Sequence, residues 1–132
     1  MKKKSFAPKI ESIKQIQEFV KNNLPENLLD LKKSANIELI IEELVINIIN
    51  HGFEEEPSSM IDFGIDTRNH DIVIKIRDNG IAFNPLEKKD PDLAADIEER
   101  ELGGLGIFFV KQLAKDIRYF RKHGKNNLYL II

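Results

Sequence analysis

An α+β two-layer sandwich, with a mixed, mostly antiparallel sheet and three helices on one face, is the fold this sequence predicts. Three observations carry that expectation. Apolar residues recur at helical spacing over the first fifty positions, four short segments further on alternate with period two, and a long charged stretch separates the two pairs of segments. With 132 residues, 42% of them apolar, the chain can build one core and not two, so residues 1–132 are expected to form a single domain and its motifs a single site.

Lys2 to Pro8 is short, extended and without a motif of its own; an edge strand there would offer a route to a homodimer. In "KIESIKQIQEFVKNNL", Ile13, Ile16, Phe19 and Val20 form one apolar stripe, the pattern of an amphipathic surface helix. After Pro25 a second helix is expected from about Leu28 through Asn50, with Gly52 as its stop. The period then changes. "MIDFGID" and "DIVIKIRD" alternate, placing Ile72, Ile74 and Ile76 on one face, and the link "TRNH" suits a hairpin. From Asn79 to Gly104 the chain is charged, carries two prolines and has no sustained period, and a loop this long inside a domain is usually functional. "GLGIFFVKQLA" reads as a helix opened by glycines, and "DIRYFRKHGKNNLYLII" as a second hairpin turning near Gly124.

Composition removes several classes of function. No stretch of about twenty apolar residues is present and no signal-peptide core follows "MKKKSF", so no membrane association is expected and the cytoplasm is the expected location. Cysteine is absent, which excludes disulfides, thiolate catalysis and cysteine-held zinc. His51, His70 and His123 lie too far apart for a metal-ligand motif. Twenty Lys and Arg against 22 Asp and Glu give a net charge of -2, which offers no general attraction for nucleic acid.

"IEELVINIINHGF", at Ile41 to Phe53, is the most informative segment. Glu43, Asn47 and Asn50, with Asn36 upstream, run as a narrow polar line between apolar shoulders, where a solvated helix face would be broad and rich in Lys and Glu. Such a line suits a helix whose polar edge borders a cavity, and Glu43 and Asn47, one turn apart, could serve one ligand. Their oxygen atoms are the hard donors that Mg²⁺ accepts. The same residues would also serve if the two amides bonded only nearby backbone and Glu43 reached solvent, and the helix by itself does not separate these readings.

Two further motifs bear on the choice. "DNG" at Asp78 to Gly80 ends an apolar strand and would bring the Asp78 carboxylate out at the sheet edge, although the tripeptide is also a good ordinary turn. "GGLG" at Gly103 to Gly106 opens a helix, where backbone N–H groups and the helix dipole favour phosphate, although glycines also simply start helices. It is not the P-loop pattern, and the signatures of ordinary protein kinases are missing.

Taken in order, "EELVINIINHGF", "DNGIAFNP" and "RELGGLGIFFVKQLAKDIRYFRKHGKNNLYLII" resemble the N, G1 and G2 boxes and closing hairpin of the histidine-kinase-like ATPases, the GHKL or Bergerat fold. Within that group the chain is most similar to the small anti-sigma factor serine kinases. The resemblance implies ATP and Mg²⁺, with Asn47 holding the metal against the phosphates and Glu43 acting as general base toward a serine hydroxyl or water. It implies that Asp78 accepts the adenine amino group, that Gly80 makes room for the ring, and that the backbone of Gly103, Gly104, Leu105 and Gly106 cradles phosphate. Residues 84–102 would be the ATP lid, and Arg100 at its end is either a phosphate partner or a solvated lid charge. Ala82 stands where many relatives have a second glycine, and Tyr129 where a threonine commonly supports the adenine carboxylate, so a bulky phenol is expected at the base pocket. The expected function is an ATP-dependent regulator that sequesters a sigma factor and phosphorylates a serine on a small STAS-type antagonist protein. The alternatives are a nucleotide-dependent binding module without efficient kinase activity, and an ATPase-type catalytic domain acting on another regulator.

Overall fold

In the computed structural model, which describes residues 1–52, 60–87 and 104–132, the isoleucine-rich segment forms one uninterrupted helix of 22 residues, α2 (Leu31–Gly52). It starts later than its apolar pattern suggests. Glu26–Leu28 takes a 3-10 turn after Pro25, and the Asp30 carboxylate accepts the Lys33 N–H at 2.7 Å, capping the helix. A shorter helix, α1 (Ser12–Asn22), precedes it, and α3 (Gly104–Leu113) follows the sheet's first three strands.

The strands are β1 (Lys2–Phe6), β2 (Ile61–Arg68), β3 (Asp71–Asp78), β4 (Asp116–Lys122) and β5 (Lys125–Ile131). They lie in the order β1-β2-β3-β5-β4, and all neighbouring pairs are antiparallel, so the mixed character expected of the sheet is not seen among the described residues. Both hairpins turn on two residues with positive φ, Asn69 and His70 in one, His123 and Gly124 in the other. That backbone matches the right-handed strand twist and explains why such short links suffice. The opening segment contributes β1, pairing Lys2 with Ile65 and Phe6 with Ile61, and it forms one edge of the sheet.

Ile37, Ile40, Ile41, Leu44 and Val45 of α2 are buried against Ile61, Phe63, Ile65, Ile72, Ile74 and Ile76 of the central strands. Ile16 and Val20 of α1 and Ile107 and Val110 of α3 complete the layer, and Phe6 meets Phe19 and Phe63 edge-on. Each fully buried aliphatic side chain contributes about 1.5–3 kcal/mol of transfer free energy, so this one face supplies most of the drive to fold. The opposite face carries Asp62, Lys75, Arg77, Asn127 and Tyr129. Among the described residues no helix is long and apolar enough to cross a membrane.

Candidate functional site

The polar line on α2 does not stay at the surface. Asn50 is exposed and Glu43 half-buried, but Asn47 retains only 8% of its surface, and no hydrogen bond to its side chain is found among the described residues. An unpartnered buried amide costs about 1–3 kcal/mol, an unusual expense in an otherwise apolar helix. Asn47 opens into a narrow cleft whose apolar walls include Leu44, Ile48, Ile76 and Leu128.

Asp78 borders the same cleft from the end of β3. It is 5% exposed, and its Oδ1 accepts both the Gly80 N–H at 3.0 Å and the Asn126 side-chain amide at 3.0 Å. Its Oδ2 receives no donor among the described residues. Burial pushes the Asp78 carboxyl above its ordinary value, against the opposing pull of the Asn126 and Gly80 hydrogen bonds and the Arg121 charge.

Glu43 lies one turn before Asn47 and packs on Gly106, in the first turn of α3. A Cβ at position 106 would lie 1.9 Å from its Oε2 and 2.7 Å from its Cδ. The glycine is therefore required by the carboxylate, a reason different from the anion approach expected of it. Burial, and then the neighbouring Glu42, push the Glu43 carboxyl up, which makes its ionised form a stronger base.

The cleft brings Asn47 and Asp78 together, with Glu43 one turn from Asn47 on the same helix. Gly80 donates to Asp78, and its carbonyl accepts from Arg121 at 2.9 Å. Gly104 opens α3 and Leu105 follows in the same turn. Arg100, Gly103 and lid residues 88–102 lie outside the described residues; of the lid, Asn84 caps a short 3-10 turn at Pro85–Glu87. His51 stacks on Phe83, with ring centroids 4.6 Å apart and planes at 12°, at the root of this segment.

The expectation for Tyr129 is corrected. It pairs in register with Lys75 on the sheet face away from the helices, and the Lys75 ammonium sits 5.6 Å from the centre of its ring. It does not line the cleft. Asp78, at the end of β3, lies opposite the beginning of β5, and the residue in register there is Asn126. The turn at His123 and Gly124 joins β5 to β4 and not to β3, so it does not give this register.

Among the described residues no group of three His, Asp or Glu could by itself hold a metal. A cation here would need oxygen atoms from a ligand as well as from the protein. The cleft fits a Mg²⁺-nucleotide in two respects: Asn47 offers an amide oxygen, and Asp78 a carboxylate oxygen, that no group among the described residues engages.

A family model described as histidine kinase-like ATPase domain matches residues 6–132. Serine/threonine-protein kinase BtrW of Bordetella bronchiseptica is 27% identical over 92 residues, 70% of this chain and 65% of that protein. The anti-sigma F factor of Bacillus subtilis is 27% identical over 83 residues, covering 63% of this chain and 57% of its own length. Serine-protein kinase RsbW of Listeria monocytogenes is 24% identical over 93 residues, with 67% and 59% covered. The chain thus spans less than two thirds of these curated relatives. Among solved structures, the histidine kinase domain of the Erythrobacter litoralis EL346 blue-light activated histidine kinase superposes with a TM-score of 0.54 at 13% identity, covering 93% of this chain and 59% of that one. The Acinetobacter baumannii histidine kinase AdeS gives 0.50 at 16% identity, covering 100% and 67%. At such identities the likeness concerns the fold alone.

Proposed function

We propose, from the premise that the chain belongs to the histidine kinase-like ATPase domain family, that the cleft between α2 and β3 binds ATP with Mg²⁺ and that the protein is a serine kinase of the anti-sigma type. The observation that carries this is the pair of buried oxygen atoms, the Asn47 amide oxygen and Asp78 Oδ2, that have no donor among the described residues and share one cleft, with the Glu43 carboxylate one turn before Asn47. Relatives named as an anti-sigma factor and as serine kinases support the regulatory half of the proposal. Its partners would be a sigma factor, which it sequesters, and a STAS-type antagonist, whose serine it phosphorylates, in the cytoplasm. The free edge of β1 is where a second copy would add for the homodimer expected of that segment.

Each residue then has defined work. Asp78 accepts the exocyclic amine of the base, and Leu44, Ile48, Ile76 and Leu128 exclude water around the ring. Asn47 contributes one oxygen to the metal, which when bound neutralises phosphate charge. The helix start at Gly104, Leu105 and Gly106 directs backbone N–H groups at phosphate oxygens. Glu43, its proton affinity raised by burial, takes the proton of the attacking serine hydroxyl.

The alternative of a binding module without kinase activity rested on Tyr129, and Tyr129 lies off the cleft. Incubation with radiolabelled ATP, Mg²⁺ and the cognate antagonist should label a serine, and Glu43→Ala should abolish labelling while leaving ADP binding in place. Labelling that survives Glu43→Ala removes Glu43 as base, and absence of any ATP or ADP binding removes the proposal as a whole.

A further inference from the structure

Two basic clusters that lie far apart in the sequence, Lys2 to Lys4 and Arg118 to Lys125, fall on the two edge strands of one sheet, β1 and β4. The face turned away from the helices runs between them. Strand register sets one row across all five strands of that face: Lys3, Gly64, Lys75, Tyr129 and Arg118. Neighbouring strands lie about 4.8 Å apart, so the three cations recur about every 10 Å, with a glycine and an aromatic ring between them. In the next row Phe120 stands opposite Asn127, diagonally beside Tyr129, a separation of about 7–8 Å. Phe120 keeps 50% of its surface, and an open groove of about 460 Å³ runs from it past Tyr129, Lys75 and Arg77 to Lys3.

The acids of this face are engaged at home. Asp62 accepts from Ser5 at 2.5 Å and from Arg77 at 3.4 Å, Asp116 from Arg118 at 2.9 Å, and Asp66 from the Thr67 N–H at 2.9 Å. No acid pairs with Lys3, Lys75 or Lys122 among the described residues, and the Lys75 ammonium rests over the Tyr129 ring. A chain whose net charge is -2 therefore gathers cations and two aromatic rings on one side of its sheet.

A row of cations attracts a polyanion, and open rings attract flat π faces. Single strands carry both phosphates and unstacked bases, whereas a duplex hides its bases in grooves that admit a helix or a two-stranded ribbon and not a five-stranded sheet. A second copy of the chain fits poorly, because two-fold packing of this face would set the cationic row against itself. A homodimer through the β1 edge would leave the face open. We propose that the open face of the sheet binds single-stranded nucleic acid, with bases stacked on Phe120 and Tyr129 and the backbone held by Lys3, Lys75 and Arg118. The site lies on the other side of the sheet from the α2–β3 cleft, and the proposal does not depend on ATP binding.

Fluorescence anisotropy on the full chain tests this, with a labelled single strand of about 12 nucleotides made as RNA and as DNA. At about 50 mM salt the Kd should be micromolar, and the logarithm of the association constant should fall against log salt with a slope of about -2, three phosphates at about -0.7 each. Phe120→Ala removes a ring and no charge, so it should weaken binding about tenfold at an unchanged slope. Lys75→Gln should weaken it and make the slope shallower by about 0.7. Both side chains are exposed, so each variant should keep the parent's thermal midpoint and ADP affinity. Saturating ADP with Mg²⁺ should leave strand binding unchanged. Binding of neither strand overturns the proposal, as does a duplex of the same sequence that binds as tightly. A folded Phe120→Ala protein within about twofold of the parent overturns it too, and displacement by ADP would assign the strand to the cleft instead. A chain that sediments as a dimer and that Phe120→Ala renders monomeric would give the face to a second copy and end the proposal.

Discussion

Gly106→Ala should separate the fold from the chemistry. The added methyl carbon would lie 1.9 Å from Glu43 Oε2, whereas ordinary contact begins at 3.4 Å, so the carboxylate must retreat by about 1.5 Å. The atoms that must move are the far end of a flexible, half-buried side chain, and they can move without displacing α2. A forced off-rotamer position costs about 0.5–1.5 kcal/mol, and alanine in place of glycine within a helix returns up to about 1 kcal/mol. These nearly cancel, so the thermal midpoint should stay within about 5 °C of the parent. The chemistry has no such compensation. A positioned general base contributes about 10²–10⁴ in rate, and a misplacement of about 1 Å can cost about 10². Single-turnover transfer from radiolabelled ATP to the antagonist should therefore slow about 100-fold, with circular dichroism and ADP affinity close to those of the parent. A transfer rate within about threefold of the parent in the folded variant would refute the placement of Glu43 against Gly106 as the working geometry.

Three other substitutions give signed expectations. Asn47→Leu removes a buried amide that has no partner among the described residues, so it should raise the thermal midpoint while abolishing the Mg²⁺ dependence of nucleotide binding; a lower midpoint would mean that the amide has a structural partner. Asp78 has a folded pKa above its ordinary value of 3.8, so its contribution to stability is present below that value and is lost as pH rises through the raised one. Asp78→Asn should accordingly stabilise the ligand-free protein at neutral pH, with the gain fading as pH falls below the ordinary carboxylate range, and ADP binding should be lost; a pH titration of the midpoint difference between variant and parent checks the sign. Tyr129→Thr should leave ADP affinity within about twofold in calorimetry, since the side chain lies on the other face of the sheet, and a tenfold change would contradict the observed register.

Periodic signals were legible in the sequence and pairwise ones were not. The helices and both hairpins followed from spacing and turn residues. The start of α2 did not, because Leu28 fits the apolar period and only the 3-10 turn and the Asp30 cap exclude it. β1 was legible only as an extended segment that could form an edge strand, because its strand state depends on pairing with residues about sixty positions away. At the site, Asp78 could be read from the strand that ends on it, but its support could not, since Asn126 meets it only through the β3–β5 register. Tyr129 lies three positions further along β5, and an odd step along a strand exchanges the two faces. That is how a residue assigned to the base pocket came to lie over Lys75.

Asn47, Asp78 and Glu43 share a property that spacing cannot reveal. The first is a buried amide without a partner among the described residues, and the other two are carboxyls whose ionisation burial opposes. Each works against the fold, and in a structural role each would have been replaced by a better-satisfied side chain. Their grouping on α2 and at the end of β3 suits a ligand that supplies what the protein withholds, an amine for Asp78 and a cation for Asn47, with a partner's hydroxyl as the proton source for Glu43. The decisive measurement is therefore a sign. If removing Asn47 or the Asp78 charge stabilises the empty protein and abolishes nucleotide binding, the cleft holds its polar groups for a ligand; if removal destabilises the empty protein, they hold the fold.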